Sequence, residues 1–168
     1  FCIHTRYSTQ QAILEDIVAS LYAQGMRKLI ILSGHGGNNF KGMIRDLAFV
    51  YPDFLIIAAD WFSIVPPKDY FEAVVDDHAG ESETSVMMHY HPELVNLAEA
   101  GDGESQPFAI PSLNEKVGWA PRHWDKATVD SGVGNPKKAS AEKGERYMKP
   151  VVEKLAKLFT EVGLGSLY

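Results

Sequence analysis

The chain has 168 residues, 45% of them hydrophobic and 23% charged, and its 16 Lys and Arg against 22 Asp and Glu give a formal charge of −6. That length buries one core and is short for two ordinary domains, so a single domain over residues 1–168 is expected. The acidic balance without a basic run argues against a nucleic-acid surface, and no apolar stretch approaches the roughly 20 residues that span a bilayer.

The single cysteine, Cys2, excludes an internal disulfide and a cysteine-based zinc cluster. A soluble protein of the reducing cytoplasm is expected, and any metal must be held by imidazoles and carboxylates. The chain opens on Phe1, not Met, which reads as a processed product, a fragment or the ordered part of something longer.

In chain order, Ser8 followed by Gln11 has the spacing of a capping box. Behind it Ile13, Leu14, Ile17, Val18, Leu21 and Tyr22 recur at helical spacing until Gly25, which predicts an amphipathic helix. Lys28 to Leu32 is a short apolar run that predicts a buried strand ending in the tight loop Ser33-Gly34-His35-Gly36-Gly37-Asn38-Asn39. A helix over about 39–51 and a second buried strand over 53–59, ending at Asp60-Trp61-Phe62, complete a βαβ unit of the kind that builds parallel sheets.

Residues 64–77 read as irregular, and 83–91 as a helix stopped by Pro92. The Gly-, Pro- and Ser-rich stretch 101–134 reads as long loops with one or two edge strands. A closing helix is predicted to start at Asn135-Pro136 and to be kinked or split by Pro150.

Two segments can carry chemistry. His35 and Asp60-Trp61 fall at the carboxyl ends of predicted strands, where open α/β sheets bind ligands. Glycines 34, 36 and 37 would let the backbone approach a ligand and take positive φ around the imidazole. A turn histidine bonded locally is the competing reading of His35. The glycine spacing fits neither a dinucleotide loop nor a P-loop.

The second segment, Asp76-Asp77-His78-Ala79-Gly80-Glu81-Ser82-Glu83, crowds four carboxylates around one histidine, an arrangement suited to a metal or to acid/base work. A solvated acidic loop leading into a helix N-terminus is its alternative. His89 and His91 are expected to pack or to face solvent. The run Lys137, Lys138, Lys143, Arg146 and Lys149, interleaved with Glu142 and Glu145, is expected to be a solvated helix face.

Taken together, LIILSGHGGNN, AADWF, HAGESETSVMMHYHPELV and GVGNPKKASAEKGERY resemble, in order, the blocks of the creatininase (creatinine amidohydrolase) family. The resemblance implies a three-layer α/β/α fold with a mainly parallel central sheet, and a homo-oligomer. It implies a hydrolase that cleaves a C–N bond of a small cyclic or linear amide through hydroxide on a two-metal centre of zinc or manganese. By motif, His35 and Glu83 correspond to metal ligands, and His78 to the catalytic histidine that gives a proton to the leaving nitrogen. Gly36, Gly37 and Asn38 would shape the pocket floor, and Asp60 with Trp61 one wall.

Two departures from the family pattern matter. Its remaining ligands, a Glu-x-His pair and an Asp, belong to a segment upstream of the residues present, so an N-terminally incomplete domain is expected, inactive if those ligands are truly missing. Creatininase also has an aromatic and an acidic residue where this chain has Gly36 and Gly37, and a tryptophan where it has Val74, so creatinine is not the expected substrate. The alternative to an enzyme is a non-catalytic binding or assembly module on the same fold.

Overall fold

The computed structural model describes residues 4–166 and Tyr168; Cys2 lies outside them. The chain is α/β, and its contacts divide it into two units. One unit runs to Ile64 and resumes at Glu153; the other is Val65–Val152.

In the first unit, α1 (Tyr7–Ala23) precedes β1 (Lys28–Ser33), α2 (Lys41–Val50) and β2 (Leu55–Asp60). The strands pair in parallel, in register from Lys28 opposite Leu55 to Ser33 opposite Asp60, with α2 as the crossover of the predicted βαβ unit. Leu14 and Val18 of α1 and Met43 and Leu47 of α2, each pair four residues apart on one helix face, bury against Phe54 and Ile56. Ile13 and Ile17, expected on the same apolar face of α1, are about half exposed.

The capping box does not form. Helix α1 begins at Tyr7, so Ser8 is already inside it, and the N-cap is Arg6, whose carbonyl accepts from the N–H of Thr9 and Gln10. Gln10 instead reaches back with Nε2 to Thr5 O, 2.7 Å away.

The second unit contains β3 (Asp76–His78), α3 (Glu81–Tyr90), the single turns α4 (Pro111–Asn114) and α5 (Trp124–Ala127), and β4 (Val133–Gly134), antiparallel to β3. Helix α3 starts two residues earlier than the sequence suggests, because Gly80, not Ser82, is its N-cap; it stops before Pro92 as expected.

The final helix, α6 (Ala141–Leu164), starts later than predicted. Asn135 Oδ1 does cap, accepting from Lys137 N at 2.9 Å, but the turn it caps is a 3-10 turn over Pro136–Lys138 that ends at extended Ala139. Ser140 then serves α6, its Oγ accepting from Lys143 N at 3.2 Å. Pro150 does not split α6, which is continuous through it.

Within the second unit Tyr147 is almost fully buried, its ring 5.1 Å from Phe71 and 5.4 Å from Tyr70, and its hydroxyl donates to Val65 O at 3.3 Å. Its hydroxyl pKa is raised, mainly by burial and then by the charge of Asp76. In the first unit, Lys28 Nζ donates to the carbonyls of Val162, Gly163 and Gly165, satisfying the last turn of α6 with a cation. Among the described residues no helix is long and apolar enough to cross a membrane.

Candidate functional site

In the first unit the parallel register sets the carboxyl ends of β1 and β2 side by side, so the loop after Ser33 and the turn after Asp60 are neighbours. Trp61 Nε1 donates to Gly34 O at 3.4 Å, tying the two together. Asn38 and Asp60 line one cavity of about 310 Å³. Gly36 faces the ring of Phe62, 3.8 Å from where a Cβ would stand.

The glycines of this loop do not take positive φ, contrary to expectation. What Gly37 supplies is close approach: a Cβ there would lie 3.1 Å from His35 Nδ1. Its N–H donates to that same Nδ1 at 2.9 Å. The neutral ring therefore carries its proton on Nε2, and a metal would take Nδ1 only by displacing the Gly37 contact.

In the second unit the crowded carboxylates are separated, each with its own partner. On β3 the side chains alternate, Asp77 pointing to the guanidinium of Arg122 at 2.7 Å. Asp76 accepts from Ser82 N at 3.0 Å; burial raises its pKa despite that bond, and the charges of Glu81 and Glu83 add to the rise. Ala79, at φ 51°, turns the chain from strand to helix in the left-handed region that a non-glycine residue seldom occupies.

That turn sets Glu83, in the first turn of α3, beside His78. Glu83 Oε2 accepts from Ala79 N at 2.7 Å and lies 3.7 Å from His78 Nδ1, both side chains being partly exposed. The His78 ring packs edge-to-face with Trp124, centroids 5.2 Å apart and planes 64° apart.

Glu81, two residues before Glu83, points the other way and has no exposed surface. Its Oε2 accepts from the N–H of Glu72 and Ala73 at 2.9 and 2.8 Å, and its Oε1 from Lys143 Nζ. Lys143 also donates to Glu72 Oε1 at 3.1 Å, and Lys138 to Glu72 Oε2 at 2.8 Å; those two cations hold the Glu72 carboxyl down to about 2. Hydrogen bonding to Glu81 in turn raises the pKa of Lys143.

The reading of the late basic run as a solvated face is corrected at Lys143, which is four-fifths buried and clamps the base of α3, whereas Lys137, Lys138, Arg146 and Lys149 are exposed as expected. His91 pairs at the surface with Glu93, 3.3 Å away, and His89 packs on Tyr90.

As donors for a divalent ion, the His35 imidazole and the Glu83 carboxylate have the right chemistry for zinc or manganese. Among the described residues no three His, Cys, Asp or Glu side chains form a metal-holding group, whereas a catalytic zinc ordinarily takes three protein ligands.

The family model for creatininase, creatinine amidohydrolase, matches residues 1–159. The crystal structure of a candidate creatinine amidohydrolase from Bacteroides fragilis NCTC 9343 is 83% identical, with a TM-score of 0.96 over 100% of this chain and 66% of that one. Mycofactocin precursor peptide peptidase of Mycobacterium ulcerans (strain Agy99) is 32% identical over 131 residues, which are 75% of this chain and 45% of that protein. The chain therefore spans about half the length of that curated relative.

Creatininase structures, one a mutant of zinc–zinc type and one a manganese form, are 23% and 22% identical with TM-scores of 0.71 and 0.67, each over 95% of this chain and 65% of theirs. At that identity they show the shared fold.

Proposed function

The chain belongs to the creatininase family, and on that premise we propose that the whole protein is a metal-dependent amidohydrolase in which His78 moves the proton and His35 and Glu83 are metal ligands. The observation that carries this reading is the pairing of His78 with Glu83 across the left-handed turn at Ala79. An exposed acidic loop needs no such turn.

Zinc or manganese, when bound, would acidify a water and polarise the scissile carbonyl. His35, in the first unit, and Glu83, in the second, each fit such an ion in donor type, and the family pattern assigns the remaining donors to a Glu-x-His pair and an Asp. The rest of the chemistry belongs to this chain's own side chains. With Nδ1 turned to Glu83, His78 is oriented by that carboxylate, and its proposed role is to give a proton to the departing nitrogen, a step that amide cleavage requires. Trp124 against the ring limits its rotation. Glu83 Oε2 is engaged by Ala79 N, which leaves Oε1 for a cation. Asn38 and Asp60, on one cavity, and Trp61, bonded to Gly34, would hold substrate.

A linear amide is favoured over creatinine. The peptidase relative cleaves a precursor peptide by its name, and Gly36 and Gly37 leave two positions of the loop after β1 without side chains. The full protein is further proposed to be a cytoplasmic homo-oligomer, for which light scattering of the intact chain is the check. The hydrolase reading is tested by metal analysis of the full-length protein followed by a panel of formamides, peptides and cyclic amides. Zinc or manganese together with amide cleavage is expected; neither metal nor cleavage would leave the fold as a binding module.

A further inference from the structure

A cleft of about 760 Å³ in the second unit opens alongside β3, and the family reading leaves it without a role. Val75, Pro107, Phe108 and Val133 give it an apolar wall. The wall is fixed by hydrogen bonds to its backbone: the Asn114 side chain accepts from Phe108 N through Oδ1 at 2.9 Å and donates to Phe108 O through Nδ2 at 2.8 Å, and Gln106 N donates to Ala127 O at 2.7 Å.

The charges on this cleft are opposite in sign to the chain as a whole, which carries −6. Lys116, Lys126 and Arg122 line it against one carboxylate, Asp77. Arg122 is occupied by Asp77 at 2.7 Å and lies over the Trp124 ring at 4.7 Å. Lys116 and Lys126 have no ion-pair partner among the described residues, although Glu104 shares a smaller adjoining recess with Lys126.

Lys116 is also held at φ 61°, in the left-handed turn that ends α4, where Val117 N reaches back to Ser112 O. Glycine is the usual occupant of such a turn, and a lysine there keeps a cation on the rim at the expense of backbone strain.

We infer that this cleft binds a carboxylate carried on an apolar body, the carboxylate between Lys116 and Lys126 and the body against Phe108 and Val133. A carboxylate fits two point-charge ammonium groups, and apolar area beside them binds the remainder. The cleft adjoins the proposed acid/base pair: Val133 is the strand partner of His78, and Trp124 touches both the His78 ring and Arg122. The inference concerns binding and does not rest on turnover.

The probe is 4-phenylbutanoate against 4-phenylbutan-1-ol, neither of which has an amide bond to cleave, titrated calorimetrically into the full-length protein. The acid is expected to bind at least about tenfold tighter than the alcohol. That preference should be lost in the double variant Lys116→Gly, Lys126→Gln, in which glycine relieves the left-handed turn and so keeps the fold. Should that variant fail to fold, ionic strength replaces it: raising salt from 50 to 500 mM should weaken the acid several-fold and leave the alcohol unchanged. Equal affinity for acid and alcohol, a preference that survives the double substitution, or one indifferent to salt would overturn the assignment.

Discussion

Lys143 Nζ stands 2.5 Å from Oε1 of Glu81, a carboxylate with no exposed surface at the first position of α3. The same carboxylate's other oxygen takes the N–H groups of Glu72 and Ala73. One ion pair therefore joins the start of α6, the segment before β3 and the base of the helix that carries Glu83. Removing only the cation strands a buried charge, so Lys143→Met is expected to cost about 2–3 kcal/mol, at the low end for a broken buried pair because the lysine keeps some solvent contact. Urea unfolding measures it, and Glu81→Gln combined with Lys143→Met should recover part of the loss.

Gly144 makes a second prediction at the same junction. A Cβ there would fall 2.1 Å from Ser85 O and 3.0 Å from His89 Cβ. Alanine ordinarily favours a helix by about 1 kcal/mol over glycine, yet here overpacking against α3 should win, and Gly144→Ala should destabilise by about 2 kcal/mol net. A rise in the melting temperature would show that α3 and α6 can separate freely.

The pH dependence of stability follows from Asp76 and Glu72. Burial raises the carboxyl pKa of Asp76 above its ordinary value of 3.8, so its protonated form suits the folded state; ionisation as pH rises through the raised value costs stability. Asp76→Asn keeps an acceptor for Ser82 N and should be more stable than the parent at pH 7, the difference vanishing below the ordinary carboxylate value. Glu72 runs in the opposite sense: its contribution is present above its ordinary value of 4.5 and is lost as pH falls toward about 2. Denaturant midpoints from pH 2 to 8 for the parent, Asp76→Asn and Glu72→Gln check both slopes; a parent and Asp76→Asn that coincide at pH 7 would contradict the first.

Short apolar runs bounded by glycine, proline and aspartate placed β1 and β2, and the stretch between them was long enough for the crossover helix α2. Local pattern failed at the start of α3, where a deciding contact is long-range. Glu81 opens α3 because Lys143, 62 residues on, and two distant N–H groups hold it there. The late block GVGNPKKASAEKGERY is legible as a motif but not as a device. In the structure Ser140 N donates to Ser85 Oγ, Lys143 pairs with Glu81, and Gly144 lets α6 approach Ser85. No local pattern distinguishes such a clamp from an exposed charged face. His35 and the carboxylates crowded around His78 stood out by residue type, and the resemblance of the motifs to the family singled out Glu83 and the three roles, whereas the Trp124 contact with His78 joins residues 46 apart and leaves no trace in spacing.

The central claim is the division of labour between His78 and Glu83, neighbours at 3.7 Å with different roles. The direct test is metal stoichiometry and turnover, side by side, for His78→Ala and Glu83→Ala in the full-length protein. His78→Ala should retain the metal and lose about 10²–10⁴-fold in turnover, the usual contribution of a positioned acid/base, while Glu83→Ala should lose metal. Equal metal loss in both variants, or full turnover in His78→Ala, would contradict the assignment.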